Sequence, residues 1–213
     1  MKFDSLIAQV GLLPFFELPL LLQLNGAPKR QVLTQLHQWT VAGKLIHLRR
    51  GMYTLADRYR KAPLSVLQLA NEMYRPSYLS GLWALSFYGL IPEKVATWTS
   101  VTPRVTRTFE NSLGVFAYSS LKQTFFWGFS SSVIETSPVW MADPEKALLD
   151  YFHLTPGEWT EDRLSEMRFQ NTSVLELNRL LAYTEQWGSP RLNRAIARFT
   201  HLINQEQEGR FFL

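Results

Sequence analysis

Apolar residues recur along this chain with two different periods. From residue 28 to 42 the apolar positions Val32, Leu33, Leu36 and Trp39 follow the spacing of one helical face. Gly26 stops a shorter apolar helix over residues 20–25, and Pro28 fits a first helical position, where its missing N–H costs nothing. Gly43 ends the longer helix. The stretch GKLIHLRRGMYTL that follows predicts a hairpin, with Leu45, Ile46 and Leu48 in one strand, Arg49-Arg50-Gly51 in the turn and residues 52–55 in the return strand.

The polar positions of this segment carry candidate chemistry. Gln31, Thr34, Gln35 and Gln38 lie at i, i+3, i+4 and i+7, opposite the apolar face. Such side chains both donate and accept hydrogen bonds, which suits base edges in a major groove and equally suits solvent. Lys29 and Arg30 start the same helix, and Lys44, Arg49 and Arg50 charge the hairpin, all placed to meet phosphates. A short helix, a longer helix and a basic hairpin in that order predict a winged helix-turn-helix over residues 1–60, with double-stranded DNA as partner.

Residues 56–63, ADRYRKAP, read as a boundary, and a larger domain is expected over 61–213. Helices are expected over 65–74 and 77–90. Between 98 and 140, short β-branched and aromatic runs separated by polar or glycine-containing breaks predict a mainly antiparallel sheet. Asp143-Pro144-Glu145 opens a further helix, with Asp143 as cap and Glu145 facing the positive end of the dipole. Helices over 174–186 and 190–203 close the pattern, the last with Arg191, Arg194 and Arg198 on one face. The fold class expected is therefore α+β, a winged helix followed by a mixed domain with helices flanking its sheet.

Composition narrows the partners. The 213 residues are 46% hydrophobic and 19% charged, as expected of a core-forming chain. Cysteine is absent, which excludes disulfides and thiolate metal sites. The longest apolar run is broken by Glu17 and two prolines and is too short to span a bilayer. With no secretory signal pattern, a cytoplasmic location is expected and no membrane partner. The net charge of +4 is uneven. Residues 1–61 hold nine Lys/Arg (2, 29, 30, 44, 49, 50, 58, 60, 61) against three acids (4, 17, 57), a net of +6, leaving −2 elsewhere. That asymmetry pairs a basic module with a near-neutral one.

Catalytic patterns are sparse. The four histidines (37, 47, 153, 201) lack zinc-helix spacing, and no phosphate loop, dinucleotide fingerprint or nucleophile elbow occurs. No enzyme activity, cofactor or metal is expected. Glu135, Asp143, Glu145 and Lys146 offer a metal-dependent nuclease as one rival, although capping and an i,i+4 pairing of Lys146 with Asp150 account for three of them. A second rival is a regulator that senses a small ligand in a pocket built from Trp83, Trp98, Trp127 and Trp140.

Three blocks resemble the AbiEi-type antitoxins, the regulatory halves of bacterial abortive-infection toxin–antitoxin pairs. The first is Gly43-Lys44-Leu45-Ile46 running into Arg49-Arg50-Gly51-Met52-Tyr53. The second is Arg75-Pro76-Ser77-Tyr78-Leu79-Ser80 with Ala84-Leu85 and Gly89-Leu90, and the third is residues 142–150, ADPEKALLD. The resemblance covers about residues 15 to 155 and implies a winged-helix autorepressor joined to an antitoxin domain. It further implies operator inverted repeats and a nucleotidyltransferase-type toxin as partners. By that analogy Lys29, Arg30, Gln31, Gln35, Arg49 and Arg50 would touch the operator. Arg104 and Arg107, with Arg191, Arg194 and Arg198, are candidates for a second interaction surface.

Overall fold

The computed structural model describes residues 1–210, with side chains through residue 205. The chain is a mixed α+β protein. Its first part runs α1 (Phe3–Val10), β1 (Phe16–Glu17), α2 (Leu18–Asn25), α3 (Lys29–Val41), β2 (Leu45–Arg49) and β3 (Met52–Leu55). The sequence reading does not anticipate α1, although Phe3, Leu6, Ile7 and Val10 repeat at i, i+3, i+4 and i+7. Gly26 ends α2 in the left-handed conformation (φ 58°), as a C-terminal glycine should. Pro28 sits one residue earlier than expected, at the N-cap of α3, because its ψ of 135° is extended. The three strands form an antiparallel sheet in the order β1-β3-β2. Leu6, Val10, Leu21, Val32, Leu36 and Leu55 fill the core between this sheet and the helices.

The hairpin also reaches out of that core. Its register shifts between His47 and Arg49, so Leu48 occupies a bulge. A bulge re-aims a side chain, and Leu48, with Met52, packs into the larger core of the remaining chain. The Leu48 carbonyl accepts from Asn111 Nδ2 at 3.1 Å.

That larger part contains α4 (Val66–Met73), β4 (Tyr78–Leu79), α5 (Gly81–Phe87), β5 (Trp98–Thr102), β6 (Arg107–Asn111), β7 (Gly114–Ser120), β8 (Phe129–Ile134) and β9 (Ser137–Ala142). After them come α6 (Pro144–Leu154), α7 (Glu161–Glu166), α8 (Leu177–Trp187) and α9 (Pro190–Arg210). Ser65 caps α4, accepting from the Gln68 N–H at 3.3 Å. The six strands lie in the order β6-β7-β5-β4-β9-β8.

One expectation needs correction here. Residues 77–90 are not one helix. Tyr78-Leu79 is a strand, Ser80 is extended, and Gly81, with φ 63°, turns the chain into the separate helix α5. The sheet is mainly antiparallel, as expected, but two of its five pairings are parallel. β5 pairs with β7 and β4 with β9 in parallel, while β4–β5, β6–β7 and β8–β9 are antiparallel. The two-residue β4 lies between β5 and β9, where it joins strands that are distant in sequence. Asn71 serves the sheet in a similar way: its side-chain oxygen accepts from the Trp140 N–H (2.8 Å) and its amide donates to the Trp140 carbonyl (3.0 Å).

Candidate nucleic-acid interface

The first turn and outer face of α3 present Lys29, Arg30, Gln31, Thr34 and Gln38 as exposed residues. They are held there because Val32 and Leu36, on the opposite face, are fully buried. Thr34 spends its hydroxyl proton on the Arg30 carbonyl at 3.0 Å, which leaves only its oxygen lone pairs to accept from a ligand. His37 joins this exposed surface, beside Lys29, Arg30, Leu33 and Thr34, and lines the same shallow depression. The sequence reading counts it only among the scattered histidines and leaves it out of the contact set, although its place seven residues after Arg30 puts it on the same helix face.

Three of the other candidates turn inward. The Gln35 amide donates to the Met1 carbonyl at 3.1 Å and its oxygen accepts from the Met1 nitrogen at 3.3 Å, so its hydrogen-bonding capacity is largely used. Lys44 places its ammonium over the Phe3 ring, 4.7 Å from the centroid. Arg49 pairs with Glu17 at 2.6 Å and also donates to the Arg50 carbonyl at 3.2 Å. Arg50, at the turn itself, is exposed.

The arginines expected to form a second surface separate into two groups with different partners. Arg191 donates to four backbone carbonyls, those of Phe152, His153, Thr155 and Gly157, at 2.7–3.1 Å. The last carbonyls of a helix lack intrahelical donors, and this guanidinium supplies them at the end of α6. Arg194 pairs with Glu158 at 2.6 Å, and Arg198 donates to the Trp159 carbonyl at 2.8 Å. The basic stripe of α9 thus grips the segment between α6 and α7. Arg104 and Arg107 lie elsewhere, against Tyr74, with guanidinium carbons 4.1 and 6.0 Å from its ring centroid.

The acidic cluster is dispersed. Glu135 sits in the β8–β9 turn with φ 58°, while Asp143 follows the far end of β9, since Phe129 pairs with Ala142 and Ile134 with Ser137. Asp143 occupies the N-cap of α6, but its carboxylate accepts from Tyr183 Oη at 3.0 Å instead of from its own helix. Burial, then that Asp143 hydrogen bond, pushes the Tyr183 hydroxyl up to about 12. Glu145 is fully buried and accepts from the Glu176 N–H at 2.6 Å, at the start of α8. Among the described residues no group of three or more His, Cys, Asp or Glu is placed to hold a metal.

Lys146 and Asp150 do pair one turn apart, inside the core. Tyr78 Oη (3.0 Å) and Ser80 Oγ (2.7 Å) both donate to the same Asp150 oxygen, and Lys146 also donates to Tyr78 Oη at 2.8 Å. The second and third resemblance blocks therefore meet at one buried polar joint between β4 and α6. The four tryptophans do not converge. Trp83 and Trp98 touch each other at 5.3 Å between centroids, Trp127 packs on Trp187, and Trp140 lines a separate 430 Å³ cleft with Phe126 and Phe129. Among the described residues no helix is long and apolar enough to cross a membrane. No family model matches the chain, and no curated protein matches it.

Proposed function

We propose that this chain is a DNA-binding antitoxin and transcriptional autorepressor, which acts by binding and not by catalysis. Residues 1–60 are read as a winged helix-turn-helix, with α3 as the recognition helix and the β2–β3 hairpin as the wing. The order helix, strand, helix, helix, strand, strand and the sheet order β1-β3-β2 support that reading. The observation that carries it is the exposed face of α3. Two cations at its start, suited to phosphates, precede Gln31, Thr34 and Gln38, which can address base edges. Arg50 at the exposed turn suits the backbone or a minor groove. Gln35 and Arg49 leave the contact set because Met1 and Glu17 occupy them.

The antitoxin half of the proposal rests on the resemblance blocks. It names inverted repeats in the chain's own promoter and a nucleotidyltransferase-type toxin encoded beside it as partners. The test is a gel shift of the promoter region by the full chain, with and without the neighbouring gene's product. Sequence-preferring binding that Gln31→Ala with Gln38→Ala relaxes, at a smaller loss of affinity, supports the reading. Indiscriminate binding, or binding unchanged by that pair, overturns it.

A further inference from the structure

A cleft of about 470 Å³ lies where the β2–β3 hairpin meets the larger sheet, and four arginines line it: Arg49 from the hairpin, Arg75 after α4, and Arg104 and Arg107 around the start of β6. Two carboxylates share the cleft. Glu17 pairs with Arg49, and Glu72 pairs with Arg75. Among the described residues the Arg104 guanidinium has only the Arg75 carbonyl, at 3.0 Å, and the face of Tyr74. Arg107 has no hydrogen-bond or ion-pair partner among the described residues and stands 6.0 Å from the same ring. Arg49 Nε is buried with no acceptor. Guanidinium groups gathered in a concave site repel one another at reduced dielectric. A multiply charged anion removes that cost and matches their planar donors two at a time.

We propose that this cleft binds a small phosphate-bearing organic molecule of nucleotide size. The volume falls within the range of small-molecule pockets. Phe15, Met52 and Phe109 supply apolar wall for the organic part. The lining comes from the hairpin with the β1 strand beside it and from the larger part of the chain, so the ligand bridges the two. A DNA backbone is disfavoured there: the Glu17 side chain is 50% exposed at the cleft and repels a strand laid across it, whereas a small anion enters past it. This assignment stands whether or not α3 reads DNA.

The experiment is calorimetric titration of the full chain with ATP, pyrophosphate and citrate at constant ionic strength, beside thermal melts. ATP and pyrophosphate bind saturably and raise the melting temperature, and citrate binds less tightly. Arg107→Glu, at an exposed position, leaves the unliganded melt unchanged and weakens ATP at least about tenfold. Arg104→Ala gives a loss in the same direction, while Arg179→Ala on α8 gives none. Absence of saturable binding, equal binding of citrate, or full binding by Arg107→Glu overturns the proposal. So does the outcome in which Arg107→Glu lowers DNA affinity and its salt slope while ATP fails to bind, which assigns the cleft to DNA phosphates.

Discussion

Lys146 and Asp150, one turn apart on α6, form an ion pair in which neither side chain has any solvent exposure. The ammonium also faces Trp187, Trp127 and Tyr78, 4.7, 5.2 and 5.3 Å from their ring centroids. Burial pushes the Lys146 ammonium down from its ordinary value, and the Asp150 charge and hydrogen bond pull it back up in part. Breaking a buried pair leaves an uncompensated charge, so Asp150→Asn is expected to cost about 3–5 kcal/mol in urea unfolding. Adding Lys146→Met to that variant removes the stranded charge and recovers part of the loss. A cost below about 1 kcal/mol for Asp150→Asn would show that the pair contributes little.

His153 gives a pH dependence. Its imidazole is held below the ordinary 6.5, by burial first and then by the Arg191 charge. A folded value below the unfolded one means that the unfolded chain binds the proton more readily. The contribution is therefore fully present above about 6.5 and is lost as pH falls through the folded value. Unfolding free energy should decline between about pH 7 and 5, and His153→Gln should flatten that decline. Glu93 and Glu158, lowered from 4.5 mainly by Arg168 and Arg194 respectively, act in a more acidic window and do not confuse the comparison.

Arg191 is expected to matter for stability and not for DNA. Arg191→Ala takes the guanidinium from four carbonyls, and a loss of about 2–3 kcal/mol in denaturant unfolding follows from charge-assisted bonds of this kind. Arg191→Lys should restore less than half, because a point cation cannot replace a planar fork. Operator affinity measured by gel shift on the folded variant should stay at the parent value. A selective loss of affinity would return Arg191 to the list of contact residues.

The two hairpin arginines should differ. Arg50→Ala removes an exposed cation and is expected to reduce the slope of log affinity against log salt by about 1. Arg49→Ala removes a side chain already paired with Glu17, so its slope should stay close to the parent's while Glu17 becomes unpaired. Fluorescence anisotropy on a promoter duplex over a salt series separates them. Equal slopes for both variants would contradict the arrangement at the hairpin.

Local signals alone located several elements of this fold. Gly26 and Gly43 close α2 and α3 because their positive φ angles suit glycine, and the buried Val32 and Leu36 set which face of α3 is exposed. The pairing of Lys146 with Asp150 follows from four-residue spacing on a helix. Such features depend on neighbours within one or two turns, and a single sequence carries them.

What only the tertiary structure decided involves residues distant along the chain. The helix expected over 77–90 failed because β4 joins β5 and β9, a pairing that no local period encodes. Gln35 looked like a reading residue until Met1, 34 positions away, took its amide. The stripe of Arg191, Arg194 and Arg198 reads from its spacing as a candidate interaction surface, but the α6–α7 segment, 34 to 39 residues earlier, supplies its acceptors. A polar side chain's spacing shows which face of a helix it occupies. Whether that face meets solvent, a ligand or a carbonyl depends on chain segments brought together by burial of apolar surface, and that burial is non-directional.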